Sequence, residues 1–169
     1  MRTPTVAGAM SSPTGHPDCC GGGDDHDPLG CPLCGQRGHG VPPETVDAFV
    51  PEAHREESGS FWFCDTPECA VAFYPPGCGA PVFVSELPVP TGVKAPFSDT
   101  APLCHCFGIT RGEVVARAAS DHPASAEVAE RMKSEGCACA IKNPTGQCCL
   151  GDVRAVEGAQ TGQKSGTVQ

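Results

Sequence analysis

Cysteine is the residue type in this sequence with the clearest capacity for chemistry. The chain of 169 residues contains 13 cysteines, and most of them fall into closely spaced groups. Thiolates are soft ligands that bind Zn2+, Cu+ and iron–sulfur clusters. Disulfides are the alternative, but an odd number of cysteines leaves one thiol unpaired, and the vicinal pairs Cys19-Cys20 and Cys148-Cys149 are poorly placed to form internal bridges. The cysteine pattern therefore favours metal binding.

The first group of cysteines consists of two hooks about thirty residues apart. Cys31 and Cys34 are separated by two residues, a spacing that lets one tight turn point both sulfurs at the same ion. Cys64 and Cys69 have a four-residue gap that lets the second sulfur turn back towards the first. Four sulfurs without an open position predict a structural zinc site, with rubredoxin-like iron as the competing metal and unconnected free thiols as the alternative. His39 and Cys78 could each replace one of these ligands, although a solvated loop histidine is the favoured interpretation of His39.

The second group contains six cysteines on either side of two predicted helices. They are Cys104, Cys106, Cys137, Cys139, Cys148 and Cys149. The turn signal Asn-Pro-Thr-Gly at residues 143–146 is expected to expose backbone amides, which neutralise the sulfides of a cluster. This favours an iron–sulfur cluster over a single ion, and a second zinc site is the alternative because spacing alone does not separate zinc from iron. His105 is expected to be a hydrogen-bonding neighbour rather than a ligand.

Two stretches of the second group resemble a known type of iron–sulfur domain. Residues 104–110, Cys-His-Cys-Phe-Gly-Ile-Thr, resemble the opening of the bacterioferritin-associated-ferredoxin (BFD) type of 2Fe-2S domain. Residues 139–149 resemble the variant of that domain found in the amino-terminal part of CopZ-type copper chaperones. In those proteins the variant follows a zinc module with the pattern of the first cysteine group, and the same order is present here over residues 30–156.

The resemblance implies particular cluster ligands and a particular function. The implied 2Fe-2S ligands are Cys104, Cys106, Cys139 and Cys149, with Cys148 and Cys137 as alternates. It also implies a metal-binding redox protein of copper handling, whose one-electron chemistry reduces copper or helps to transfer it. The expected cofactors are therefore a 2Fe-2S cluster and Zn2+, with Cu+ or another soft metal ion as the bound partner.

One feature of CopZ-type chaperones is not found in this sequence. Those chaperones continue into a copper-carrying domain with a Met-x-Cys-x-x-Cys loop, which does not occur before Gln169. The pair Cys19-Cys20, flanked by His16 and His26, is a candidate flexible hook for a soft metal, and a plain disordered tail is the alternative.

The elements that must position these cysteines are short. The sequence predicts a small, metal-stabilised α+β fold, in which a zinc module with short strands is followed by a helix-turn-helix 2Fe-2S domain. Strands are expected near residues 61–64 and 82–84, and residues 70–74 could form a strand or part of a helix. Thr110 with Glu113 forms a capping-box pattern that predicts a helix of about ten residues. A second helix is expected over 126–135 before Gly136, and a third near Cys148 or Cys149 that buries Leu150, Val153 and Val156.

The predicted domain boundaries follow composition. The expected segments are a disordered tail at 1–28 that includes Cys19-Cys20, a CopZ-like zinc-binding domain at 29–90, a Pro-rich linker at 91–102, a BFD-like 2Fe-2S domain at 103–156 and a disordered tail at 157–169. With 21 Gly and 18 Pro, large elements are not expected. Leu, Ile, Val and Phe together make 29 residues, about 17% of the chain, so apolar burial alone is too small to fold it.

Charge and motif content narrow the function classes. The formal net charge is −9 with 11 Lys and Arg, which argues against nucleic acid or anionic membrane as a partner and favours a partner protein with a basic face. The resemblance implies that such a partner is a copper-transport or redox protein. Residues 1–15 contain no apolar run suited to a signal peptide or membrane span, so a reducing cytoplasm is expected. No nucleophile elbow, phosphate loop or acid–base pair occurs, so an enzyme is not expected. Alternative functions are a general 2Fe-2S carrier that docks an oxidoreductase and a structural two-zinc adaptor.

Overall fold

The first half of the chain is built around a four-stranded antiparallel sheet. The structure is a computed structural model that describes residues 29–55, 58–77 and 79–162. The strands are β1 (His39–Gly40), β2 (Trp62–Phe63), β3 (Val71–Tyr74) and β4 (Val82–Phe83), and they pair in that order. The strands expected near 61–64 and 82–84 are confirmed, and residues 70–74 contain a strand rather than a helix.

Two short helices, α1 (Pro43–Phe49) and α2 (Glu52–Arg55), lie between β1 and β2. Neither is predicted from the sequence. α1 places Val46 and Phe49 on one face, where they pack with the buried rings of Phe61, Phe63 and Phe73. This cluster is the apolar core of the first half.

The second half consists of a hairpin followed by four helices. These are β5 (Pro102–Cys104), β6 (Ile109–Thr110), α3 (Arg111–Arg117), α4 (Ala124–Glu135), α5 (Cys139–Lys142) and α6 (Leu150–Thr161). The predicted capping box is present, because the Thr110 N–H donates to Glu113 Oε2 at 2.7 Å and the Glu113 N–H donates to Thr110 Oγ1 at 3.4 Å. α3 has seven residues rather than about ten, and α4 ends as predicted at Gly136, whose φ is +77°.

Two segments in the structure differ from the predicted domain boundaries. α6 continues to Thr161, past the tail boundary predicted after Val156, and its Glu157 is only 8% exposed and accepts a hydrogen bond from the Ser125 N–H. In the sequence Glu157 is the first residue of a predicted polar tail, but in the structure its carboxylate caps the first turn of α4. The segment 91–102, predicted as a linker, packs on the first half: Val93 lies against the apolar core of that half, and the Lys94 ammonium donates to the Thr66 carbonyl. Residues 1–28, 56–57, 78 and 163–169, with Cys19, Cys20 and Cys78, lie outside the described residues.

The two halves are in direct contact through α1 and α5. The Thr45 hydroxyl of α1 donates to the Ala140 carbonyl of α5 at 2.6 Å. Next to this bond Gly146 has φ +68°, and a Cβ there would lie 2.6 Å from Thr45 Oγ1, so the close approach requires glycine. None of the helices in the described part of the chain has the length and apolar character needed to span a membrane.

Candidate metal centres

The first predicted ligand set comes together as one compact cluster. The sulfurs of Cys31, Cys34, Cys64 and Cys69 all lie within 4.8 Å of one another. Cys31 Sγ is 3.8 Å from Cys69 Sγ, and Cys34 Sγ is 3.6 Å from Cys64 Sγ. Four sulfurs at mutual contact are the donor set of a closed tetrahedral site.

Each pair of ligands is positioned by a hydrogen-bonded turn. In the first hook the Gly35 N–H donates to the Cys31 carbonyl at 2.8 Å, and Gly35 has φ +70°, which a two-residue cysteine hook requires of the residue that follows it. In the second hook the Cys69 N–H donates to the Thr66 carbonyl at 3.2 Å, and β3 begins two residues later. Cys69 therefore lies in a single turn rather than in the first turn of a helix.

Electrostatics at this cluster couple the uptake of a cation to the release of protons. Burial raises the pKa of Cys69 to about 12. Burial acts in the same direction on Cys34, but hydrogen bonds from the Thr66 hydroxyl and the backbone of Gln36 outweigh it and lower the pKa of Cys34 to about 6. Some of these thiols thus keep their protons until a metal ion compensates the charge of the thiolates, so binding should release protons.

His39, a candidate substitute ligand, contacts polar groups other than the four sulfurs. Its Nδ1 lies 2.8 Å from Asp65 Oδ1, and its Nε2 lies 2.8 Å from the carbonyl oxygen of Thr145 in the second half. Burial lowers the pKa of His39, but the hydrogen bonds to Asp65 and Thr145 outweigh burial and raise it. His39 is a bridge between the halves, a role that no local sequence pattern signals.

The second set of predicted ligands also converges, in two pairs. Cys104 Sγ lies 3.0 Å from Cys149 Sγ, and Cys106 Sγ lies 3.6 Å from Cys139 Sγ. All four pack in or against the core of the second half. Across the described residues, only the first cluster has three or more ligand atoms that all lie within 4.8 Å of one another, so the second set is more spread than a site for a single ion.

The elements of the second half explain this placement. Cys104 ends β5, Cys106 lies in the hairpin turn, Cys139 begins α5 and Cys149 is the N-cap of α6. The Ala138 N–H donates to Cys106 Sγ at 3.4 Å. The vicinal pair is divided by burial, since Cys149 is buried and Cys148 is exposed.

The two alternates lie at the surface. Cys137 is exposed beside a cleft that Phe107, Glu135 and Lys142 also line. Cys148 Sγ lies 4.0 Å from the thioether sulfur of Met132 in α4. The sequence predicts only that Met132 lies in the helix expected over 126–135, so its contact with a thiol is not predicted.

The backbone amides of the turn at 143–146 are not free donors, contrary to the sequence expectation. The Thr145 N–H donates to Asn143 Oδ1 and the Gly146 N–H donates to the Asn143 carbonyl. The Gln147 N–H donates to Thr145 Oγ1. Asn143 is buried and organises the turn from within, as an Asx turn does. The turn therefore shapes the chain before Cys149 instead of donating from these amides.

In the second centre, the pKa values of the paired thiols Cys104 and Cys149 are shifted in opposite directions. A hydrogen bond from Cys149 lowers the pKa of Cys104 to about 6, against the effect of burial, and the nearby Arg131 guanidinium acts in the same direction. The same hydrogen bond raises the pKa of Cys149. Cys104 therefore gives up its proton more readily than Cys149, and a bound cation would favour loss of the proton from both thiols.

His105, the residue between Cys104 and Cys106 in the sequence, has one ring nitrogen without a hydrogen-bond partner. Its Nε2 is buried and finds no hydrogen-bond partner among the described residues. Burial lowers the pKa of His105, which favours the neutral ring. A buried ring nitrogen without a partner is an unusual feature that a bound group could satisfy.

Comparison with known proteins finds one similar family and one similar solved structure. The sequence model of the zf_CopZ family, described as "Zinc binding domain", matches residues 29–83. The structure is similar to the X-ray structure of the CopZ N-terminal domain from Archaeoglobus fulgidus, with 28% identity and a TM-score of 0.62 over 76% of this chain and 97% of that chain. No curated protein matches the chain significantly.

The fold and the first centre therefore define a small cysteine-rich metal-binding protein. More particularly, the chain carries a region like the N-terminal domain of CopZ. The match to a zinc-binding domain covers all four cysteines of the first cluster, and together they support Zn2+ binding by this cluster.

Proposed function

We propose that this protein is a metal-handling redox protein in which Zn2+ holds the first half together and a 2Fe-2S cluster in the second half serves copper chemistry. The observation that carries the proposal is the convergence of Cys104, Cys106, Cys139 and Cys149 as two sulfur pairs. We do not propose catalysis on an organic substrate. The proposed location is a reducing compartment such as the cytoplasm, where these thiols stay reduced.

The donor set fits a two-iron group better than a second zinc ion. A 2Fe-2S cluster takes two thiolates at each of two irons, and the pairs Cys104 with Cys149 and Cys106 with Cys139 supply that number. A closed zinc site would favour four sulfurs in mutual contact, as in the first cluster. The Nε2 of His105, which has no partner among the described residues, could hydrogen-bond to a cluster, as polar groups around iron–sulfur clusters do.

The residues of the chain would bind, charge-balance and shield this group. The four cysteines would be its ligands, and the Arg131 guanidinium, stacked 4.3 Å from the Phe107 ring centroid, offsets part of the thiolate charge. Leu103, Val114 and Val153 exclude water from the inner side of the centre because they are buried beside Cys104 and Cys149. When bound, a 2Fe-2S cluster supplies a one-electron redox couple, which suffices to convert Cu2+ to the Cu+ that thiolates bind.

Copper is the proposed substrate because of the CopZ-like region, and the proposal extends to a partner protein with a basic docking face. The net charge of −9 favours such a partner. A general electron carrier would share the iron–sulfur centre but would not respond to copper.

The test uses anaerobically purified protein and copper titration. We expect visible absorption bands that disappear in Cys104→Ser, and we expect Cu2+ to reoxidise the chemically reduced protein with about one Cu2+ consumed per chain. Cys137→Ser is the matched control, since its exposed thiol is outside the two sulfur pairs and its bands should persist. Intact bands in Cys104→Ser would contradict the ligand assignment. Reduced protein that is inert to Cu2+ would contradict the copper function and favour the general carrier.

A further inference from the structure

Two soft donors meet at the surface beside the second centre. Cys148 Sγ and Met132 Sδ are 4.0 Å apart, and Cys148 is exposed. Of the three methionines in the sequence, Met132 is the one within the described residues. Neither atom belongs to the two sulfur pairs already described.

The fold holds each of these two sulfurs in place. Met132 lies in the last turn of α4 and packs against the core that contains Cys104 and Cys149. Cys148 directly precedes Cys149, whose buried sulfur contacts Cys104. With Cys149 fixed in the interior, the neighbouring thiol is left at the surface, next to the thioether of the helix. The positions of α4 and of the chain before α6 therefore bring these two side chains together.

We propose that Cys148 and Met132 form a binding site for one Cu+ ion. A thiolate and a thioether are both soft donors and select Cu+ over Zn2+, which favours four ligands of thiolate, imidazole or carboxylate type. This inference rests on the proposed copper function and names the place where the reduced ion is held. One thiolate and one Cu+ ion give a neutral pair, so the site adds no charge next to Cys149.

The distance between the sulfurs leaves a third position open. With two metal–sulfur bonds of about 2.3 Å, a sulfur–sulfur separation of 4.0 Å corresponds to an angle of about 120° at the ion. That is the angle of a three-coordinate site with one ligand still to be supplied. The exposure of Cys148 allows a donor from another molecule to reach this position.

Transfer would then proceed by ligand exchange without electron transfer. An incoming cysteine thiol loses its proton to solvent and forms a bond to Cu+ while the ion keeps its Cys148 bond. The bond to the neutral Met132 thioether breaks first because the thioether is a weaker donor than a thiolate. Copper remains Cu+ throughout, and the last step breaks its bond to Cys148, whose thiolate takes up a proton from solvent.

The test measures Cu+ affinity of the full chain with zinc and the second centre in place. Cys19 and Cys20 are changed to Ser in all samples so that they do not compete, and Cu+ is titrated anaerobically against bicinchoninate. We expect Cys148→Ser to lose about 100-fold in affinity and Met132→Leu, which preserves side-chain volume, to lose about tenfold. Cys137→Ser, an exposed thiol whose cleft contains no methionine, should stay within about twofold of its parent.

The outcomes separate this site from the proposed function. Unchanged Cu+ affinity in Cys148→Ser or in Met132→Leu would overturn the site, even if Cu2+ still oxidises the reduced protein. Loss of the visible bands in Cys148→Ser would also overturn it, because Cys148 would then be a cluster ligand. Colourless wild-type protein that binds Cu+ through Cys148 and Met132 would contradict the redox function and still support the site.

Discussion

At the scale of single residues, burial distinguishes cysteines that sequence spacing leaves equivalent. Cys148 and Cys149 are adjacent in the chain, and spacing allows either to be a ligand. In the folded chain only Cys149 is buried in contact with Cys104. Which of the two neighbours is buried beside Cys104 therefore depends on where α6 begins, a tertiary property that no spacing rule contains.

The first prediction concerns this pair. Cys149→Ser should lose the visible bands and the iron, because a hydroxyl is a poor replacement for a buried thiolate beside Cys104. Cys148→Ser should keep both, since its side chain is exposed. Visible absorption and iron content of the two anaerobically purified variants provide the measurement. The reverse pattern would assign the ligand role to Cys148.

The second prediction concerns His105, whose buried Nε2 has no partner among the described residues. If this nitrogen donates a hydrogen bond to the bound cluster, His105→Phe should lower the reduction potential, because hydrogen bonds to cluster sulfurs stabilise the reduced form. His105→Gln retains a donor and should recover part of the potential. An EPR-monitored redox titration measures both. Equal potentials in wild type and His105→Phe would exclude this role, and zinc content should not change in either variant.

At the scale of elements, local signals predict the ends of helices better than their packing. The capping box of Thr110 and Glu113 and the Gly136 terminator are found as predicted because each acts within one turn of chain. α1 is not predicted because its seven residues carry only Val46 and Phe49 as an apolar face, and its stability comes from the Phe cluster of the sheet. α6 extends past Val156, where the sequence predicts the end of the folded domain, and its Glu157 side chain accepts a hydrogen bond from the N-terminus of α4.

The third prediction tests the capping box. Thr110→Ala removes the hydroxyl that caps α3 at the end of the hairpin and should lower the free energy of unfolding by about 1 kcal/mol. Thermal unfolding of the metal-loaded protein measures the change. Glu130→Ala, an exposed site in α4 outside the cap, is the control and should change stability by less than about 0.5 kcal/mol. Equal effects of the two changes would contradict a capping role.

At the scale of the whole molecule, polar contacts join the two halves, and the sequence of neither half alone predicts them. His39, from β1, contacts Asp65 in the first half and the Thr145 carbonyl in the second. Both ring nitrogens face acceptors, an arrangement that suits the protonated ring. The two cysteine sets are predictable from spacing, whereas this bridge joins residues 106 positions apart.

The fourth prediction follows from the raised pKa of His39. A group whose pKa is higher in the folded state stabilises the fold fully below its unfolded pKa, about 6.5, and loses this effect as pH rises through the folded pKa. His39→Gln should therefore destabilise the protein more at pH 6 than at pH 9. The difference should be about 1 kcal/mol, since Asp65 is 55% exposed and solvent weakens the pair.

Thermal unfolding at both pH values checks this. His122→Gln, at an exposed loop position, is the matched control for the loss of an imidazole. A His39→Gln effect that grows towards pH 9 would contradict the sign of the shift.

The central claim is that one zinc ion and one di-iron cluster complete two sulfur sites in a chain with a small apolar core. The most direct measurement is the content of zinc, iron and acid-labile sulfide in anaerobically purified protein, with EPR after reduction. We expect about one zinc, two iron and two sulfide per chain and the signal of a reduced 2Fe-2S cluster. About two zinc per chain, with neither iron nor sulfide, would contradict the claim and favour a structural adaptor.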